Sequence, residues 1–197
     1  MRETGYLGSM VEPLKRYVFV AKKIIPKQLC QFILQSEKEL DKSWNTHHWS
    51  HYTDEGKLDS HVLDTKEDSF KVKHTENKDL HECVKKSVEL YEQIYQFPGM
   101  IKFITPIRIN RYLTGTEMKM HYDHIYSLFD GEKKGIPILS IVGLLNDDFD
   151  GGEFHFYDSD VPLEAGDILI FPSSFMYPHG VKNVTKGERW SFVSWCH

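Results

Sequence analysis

Residues 106–112 read PIRINRY, 136–145 IPILSIVGLL, 152–157 GEFHFY, 167–173 DILIFPS, 180–184 GVKNV and 189–195 RWSFVSW. Each is a short run rich in β-branched or aromatic residues. Between them lie LTGTE (113–117), NDDFDGG (146–152), EAGD (164–167) and TKG (185–187), built from residues that favour turns. Strand-length runs at this regular spacing predict an antiparallel sandwich or barrel, not alternating strands and helices.

Upstream the pattern changes. RYVFVAKKIIP (16–26) reads as a strand and a turn into a helix, with Pro26 suited to the first helical turn. Leu29, Ile33 and Leu40 follow near helical spacing. A second helix is predicted from Lys78 to about Tyr95, with Leu80, Val84, Val88, Tyr91 and Tyr95 as its apolar stripe and FPG (97–99) as its stop. Residues 44–77 are polar and are expected to be irregular. The opening MRETGYLGSM (1–10) reads as an expression scar, with Met10 as a plausible native start. The expectation is one domain over 11–197, with helical support in 11–102 and a β core in 103–197. The two helices should pack on one outer face.

Composition narrows the function. The 197 residues carry a formal net charge of −5, with 40% hydrophobic and 27% charged residues, so an ordinary globular protein is expected. An acidic balance gives no electrostatic footprint for nucleic acid. No apolar run is long enough for a membrane span, and the start has no secretory n- and h-region. Cys30, Cys83 and Cys196 are odd in number and widely spaced, as expected of reduced thiols. Together these features predict a cytoplasmic protein with no nucleic-acid or membrane partner. Its oligomeric state is not legible.

The chemistry starts at MKMHYDHIYSLFDG (118–131). On a strand, residues i and i+2 face the same way, so His121 and Asp123 can present two donors to one metal ion. The triplet alone is weak, and HTE at 74–76 is a decoy, expected to be solvated surface without a strand around it. A third ligand is offered by His179 in PHGVKNVTKGERWSFVSW (178–195). If 185–187 form a three-residue hairpin loop with Gly187 at positive φ, Asn183 faces Arg189 and His179 faces Val193. His179 and Arg189 then share a face, offset by roughly 13 Å at about 3.3 Å per residue. That offset suits a small diacid, bound to the metal at one end and held by Arg189 at the other. Two His and one carboxylate on one side of a metal are the donor set of non-haem Fe(II) oxygenases, and also fit a three-ligand catalytic zinc site. Arg189 favours iron with a 2-oxo acid co-substrate.

These residues resemble the Fe(II)- and 2-oxoglutarate-dependent dioxygenases, in particular their prolyl 4-hydroxylase-like branch. The motif is His121-Tyr122-Asp123, then His179, then Arg189. Tyr112 in NRYLTGTEMKMHYD matches a tyrosine that touches the co-substrate, DFDGGEFHFY resembles the family's Gly-Gly hairpin, and Trp195 matches a family tryptophan. The resemblance runs from about Val18 to Trp195, and its specific part is Arg111 to Trp195. The clamp is Arg189, with Ser191 two residues on, where collagen-type prolyl 4-hydroxylases usually carry lysine. The resemblance implies a double-stranded β-helix, a jelly-roll of cupin type. It implies Fe(II) on His121, Asp123 and His179. It implies 2-oxoglutarate on Arg189 with help from Tyr112 and Ser191, O2 as the oxidant, and ascorbate as a possible support. The activity implied is hydroxylation of an unactivated C–H bond, first of all in a prolyl residue of a peptide or protein, releasing succinate and CO2. Another amino-acid side chain or a free small molecule is the alternative substrate.

The rivals are a zinc-dependent cupin-type hydrolase, a nucleic-acid demethylase of the same superfamily and a non-catalytic binding module. The hydrolase would not need Arg189, the acidic balance disfavours the demethylase, and a binding module would typically lack a ligand or the clamp. Phe154, Phe156, Phe171 and Trp195 are expected to wall the pocket or pack the core. Arg108 and Arg111 are candidates for its mouth. His124 is expected to face away from the triad, and His155 to be a strand position facing outward or packed. HHWSH (47–51) is expected to be loop or flap, Asn146 a turn residue, and Ile125–Gly135 a second candidate lid.

Overall fold

The computed structural model describes residues 14–39, 44–52, 58–61, 69–123, 136–157 and 159–197, with the backbone alone for 49–52 and 58–61. His124, Leu40, the segment 125–135 and the opening 1–13 lie outside the described residues. In chain order the elements are β1 (Phe19–Ala21), α1 (Lys27–Glu39), β2 (Asn45–Thr46), β3 (Trp49–Tyr52), β4 (Leu58–His61), β5 (Lys71–Thr75), α2 (Lys78–Ile94), β6 (Ile107–Leu113) and β7 (Met118–His121). They continue with β8 (Leu139–Leu144), β9 (Phe149–Gly151), β10 (Phe154–Phe156), β11 (Ser159–Val161), β12 (Ile168–Pro172), β13 (His179–Val181) and β14 (Val184–Cys196).

The strands form two facing antiparallel sheets, a double-stranded β-helix. The larger runs β1-β12-β8-β14-β6-β5-β2, with β9 joined to β14; the smaller runs β11-β10-β13-β7. Alternation along each strand sorts the side chains between two cores. Ile107, Ile109, Ile141, Ile168, Ile170, Trp190 and Phe192 face outward, where α1 and α2 cover them with Cys30, Ile33, Leu80, Val84, Val88 and Tyr91. The residues between them, Tyr112, Val142, Leu169 and Phe171, face inward and meet Phe154 and Val181 of the smaller sheet. The inner core is therefore the space between the sheets, and the helices keep the large sheet's other face dry. Each fully buried Leu, Ile or Phe contributes on the order of 1.5–3 kcal/mol.

Local chemistry fixes the ends. Asn77 caps α2 by accepting from Leu80 N–H at 2.9 Å. Asp167 accepts from the backbone N–H of Lys23 (2.8 Å) and of Glu164 (2.9 Å), and from Lys22 Nζ (2.9 Å). One buried carboxylate thus ties the end of β1 to the turn before β12. Among the described residues, no helix is long and apolar enough to cross a membrane.

Three expectations fail here. Residues 44–77 are not simply irregular: β2 and β5 extend the large sheet and β3–β4 form a hairpin. KVKHT carries a single aliphatic residue, so its strand character comes from pairing with β6, from Lys71↔Arg111 to Thr75↔Ile107. His74 is exposed as expected, but it sits on that strand. The hairpin predicted around 185–187 does not form. β13 pairs with β10 and β7 in the small sheet, while β14 pairs with β9, β6 and β8 in the large one. Gly187 has φ +77 as expected, but it is the last residue of β14 paired with β9, opposite Phe149, where a Cβ would stand 2.7 Å from Asp148 O; the register shift lies before it, between Val184 and Lys186.

Candidate metal and co-substrate site

β7 and β13 are adjacent antiparallel strands, and His121 is the direct cross-strand partner of His179. Their rings lie 4.4 Å apart. Asp123, just beyond the end of β7, turns its carboxylate between them: Oδ1 is 3.5 Å from His121 Nε2 and Oδ2 is 3.7 Å from His179 Nε2. The three donor atoms all lie within 4.8 Å of one another.

The backbone selects the tautomers. His121 Nδ1–H donates to Lys119 O (2.8 Å), and His179 Nδ1–H donates to Tyr177 O (3.0 Å). A carbonyl only accepts, so each Nδ1 carries the proton and each Nε2 offers a lone pair. Two imidazole lone pairs and a carboxylate then converge, an arrangement that a cation resolves. Ser140 Oγ donates to Asp123 Oδ2 (2.5 Å) and lies 2.7 Å from Ser173 Oγ, which orients the carboxylate. Burial would push the Asp123 carboxyl up, but His179, which becomes charged in acid, the His121 contact and the Ser140 hydroxyl outweigh it and hold it below the usual carboxylate range. Burial pushes the His179 imidazole down to about 4, so it is neutral and ligand-ready at pH 7. Phe154 stacks on His179 (5.4 Å, 20°) and Phe171 meets it edge-on (4.8 Å).

The second half of the site is on the large sheet. Arg189 of β14 stands opposite Tyr112 of β6, and its guanidinium carbon lies 5.3 Å from the centre of that ring. Arg189 is 1% exposed. Its Nη1 donates to Ser191 Oγ (2.7 Å), whereas its Nε has no hydrogen bond. Among the described residues no carboxylate pairs with it, and burial lowers its proton affinity. A buried cation without a counter-anion is unfavourable unless a ligand supplies one. Room for the side chain comes from Gly152 at φ +67, where a Cβ would stand 2.9 Å from Arg189 Cδ. Tyr112, Phe154 and Phe171 belong to one apolar cluster, so both halves open on the same inner core.

The structure thus gathers His121, Asp123 and His179 into one group, and Arg189, Tyr112 and Ser191 into another. It corrects two expectations. Arg111 faces outward, bonded to Glu188 through Nε (3.1 Å) and Nη2 (2.9 Å) and lying over Trp190. His47 is buried core, stacked on Phe70 at 4.4 Å and 14°. Arg108 and Trp195 share the inward face and lie 5.5 Å apart. Asn146 is tied to β14: it accepts from Trp190 N–H and donates to Glu188 O, both at 2.7 Å. The sequence reading missed Ser140, Ser173 and the carbonyls of Lys119 and Tyr177. The two carbonyls share one offset, each two residues before its histidine, Lys119 on β7 and Tyr177 in the turn before β13.

Two imidazoles and a carboxylate converging on one centre, inside a double-stranded β-helix, are the donor set that mononuclear non-haem iron oxygenases use. Comparison with known proteins agrees. Residues 107–197 match the family model described as the 2OG-Fe(II) oxygenase superfamily. The chain is 34% identical over 101 residues to a PKHD-type hydroxylase of Stenotrophomonas maltophilia, covering 48% of this chain and 44% of that one. It is 41% identical over 58 residues to prolyl 3-hydroxylase 2 of Mus musculus, covering 26% of this chain and 8% of that one. The chain thus spans less than half the length of these relatives. A prolyl-4-hydroxylase of Pseudomonas putida shares the fold at TM-score 0.64 and 18% identity, covering 98% of both chains. So does a Trichoplax adhaerens prolyl hydroxylase in complex with a peptide fragment of hypoxia inducible factor, at TM-score 0.63 and 17% identity, covering 98% of this chain and 94% of that one. The C-terminal part of the chain, residues 107–197, is thus similar to the 2OG-Fe(II) oxygenase superfamily, and the fold is the one seen in solved prolyl hydroxylases.

Proposed function

We propose that this protein is an Fe(II)- and 2-oxoglutarate-dependent hydroxylase acting on a prolyl residue of a peptide or protein. The observation that carries the reading is Arg189, a buried guanidinium with a spare donor and, among the described residues, no counter-anion, in the inner core that also holds His121, Asp123 and His179. A zinc hydrolase would have no use for it. The prolyl substrate is supported by the names of prolyl 3-hydroxylase 2 and the prolyl-4-hydroxylase, which share the residue and differ on the ring carbon, whereas the PKHD-type hydroxylase names no residue.

In this reading His121 Nε2, His179 Nε2 and an Asp123 oxygen hold Fe(II). Arg189 takes the distal carboxylate of 2-oxoglutarate, for which its planar fork is suited. Tyr112 lines that end, and Ser191 fixes the guanidinium through Nη1. Bound Fe(II), with 2-oxoglutarate and O2, supplies an oxidative decarboxylation that yields succinate and CO2 and puts one oxygen atom into the substrate C–H bond. The chain's own part is positioning and protection. Lys119 and Tyr177 keep both imidazoles in the binding tautomer, Ser140 keeps Asp123 aimed, and Phe154 and Phe171 shield His179 from water.

The test is succinate release from Fe(II), ascorbate, O2 and 2-oxoglutarate, with and without proline-rich peptides. Succinate should require His179 and fall sharply in Arg189→Ala, and the substrate peptide should gain the mass of one oxygen atom. Product analysis would assign the ring carbon. Absence of both turnover and 2-oxoglutarate binding in the wild type would overturn the reading and leave zinc-dependent hydrolysis to be assayed.

A further inference from the structure

The clamp lies at the end of a row that crosses four strands. Thr46 pairs with Lys71, Lys71 with Arg111, and Arg111 with Trp190. One step along the strands, on the inward side, come His47, Phe70, Tyr112 and Arg189. His47 N–H donates to Phe70 O at 2.9 Å, which continues the β2–β5 ladder by one rung. The His47 and Phe70 rings stack at 4.4 Å and 14°, Phe70 and Tyr112 at 4.3 Å and 20°, and Arg189 completes the row on Tyr112. Neighbouring strands lie about 4.8 Å apart, close to the spacing of stacked rings, so a row of flat groups fits the sheet without strain.

We infer that His47 and Phe70 are positioning residues for the 2-oxoglutarate end of the site, acting through the Tyr112 ring on Arg189; this rests on the function proposed above. Arg189 is a long side chain with a single hydrogen bond, to Ser191. Its remaining restraints are Gly152 on one side and the face of Tyr112 on the other. Tyr112 is backed on its far face by Phe70, which is fully buried, and Phe70 by His47. Removing a ring from the far end lets Tyr112 tilt, and the guanidinium that lies over it loses its aim. The outward row on the same strands, where Trp44 meets Trp190 edge-on and Arg111 already has Glu188, makes no contact of this kind with a ligand-holding group.

The test is calorimetric titration of 2-oxoglutarate into protein loaded with Mn(II), without turnover. In His47→Leu and Phe70→Leu the Kd should rise roughly three- to tenfold, while His47→Phe, which restores a ring, should stay within about twofold of wild type. Phe192→Leu, an outward core change, controls for general softening and should leave the Kd unmoved at a comparable loss of Tm. If Arg189→Leu abolishes binding but both leucine variants bind like the wild type, the inference is overturned and the function stands. Equal weakening in Phe192→Leu overturns it too. If Arg189→Leu binds like the wild type, the proposed function itself fails. Should Phe70→Leu not fold, His47→Leu against His47→Phe decides.

Discussion

Asp123 is held by a hydroxyl pair more than by its own strand, because it lies beyond the end of β7. Ser140 donates to it and is itself within 2.7 Å of Ser173. Partners of this sort typically govern metal affinity ten- to a hundredfold, so Ser140→Ala should weaken Mn(II) binding by roughly that factor. Titration of the metal-free protein measures it, and an unchanged affinity would mean that the carboxylate is positioned by its backbone alone. At this scale the sequence was legible where chemistry is local. His121 and Asp123 stand two residues apart and announce themselves, and Arg189 follows His179 by a short interval. Ser140 and Ser173 gave no sign, because serine in a strand has many uses and only the fold brings these two together.

The strands were legible wherever apolar residues and turn formers alternated, which covers β6, β8, β10, β12 and β14. β5 was not, because a sequence of lysines and a histidine becomes a strand only when a neighbour recruits it. The supposed hairpin before β14 failed for a related reason. Gly187 marks a positive φ, but a hairpin loop and a close approach of a neighbouring strand both call for a glycine, and the choice rests with strands distant in sequence. One joint between elements is open to direct test. Asp167 has a fully buried side chain and collects two backbone N–H groups and Lys22. Asp167→Ala leaves those donors unsatisfied, and the loss should be on the order of 2–4 kcal/mol. Urea unfolding gives the number; a loss below about 0.5 kcal/mol, as for an ordinary surface change, would mean that water replaces the carboxylate.

For the molecule as a whole, the buried histidines set how folding responds to acid. Burial, helped by the charge of Arg108, pushes the His47 imidazole from an ordinary 6.5 down to about 3. The unfolded chain takes up a proton near pH 6.5 that the folded chain refuses until about pH 3. The unfolded state therefore binds more protons in that window, and stability falls as pH falls through it. His179 acts with the same sign from 6.5 to about 4 in metal-free protein. His47→Phe should flatten the acid limb by up to about 1.4 kcal/mol per pH unit. Urea midpoints from pH 7 to pH 5 measure this, and parallel wild-type and variant slopes would assign the acid sensitivity elsewhere.

β14 also carries a reading frame. Odd positions such as Arg189 and Ser191 look into the chamber, and even ones such as Trp190 and Phe192 look under the helices. The Asn146 amide grips the strand at Glu188 O and Trp190 N–H and fixes that frame. A single inserted or deleted residue just past this grip would exchange the two faces, sending the Phe192 ring into the chamber and Ser191 and the Trp195 indole under the helices. Over evolutionary time this stretch can change letter by letter or two residues at a time, but not by one.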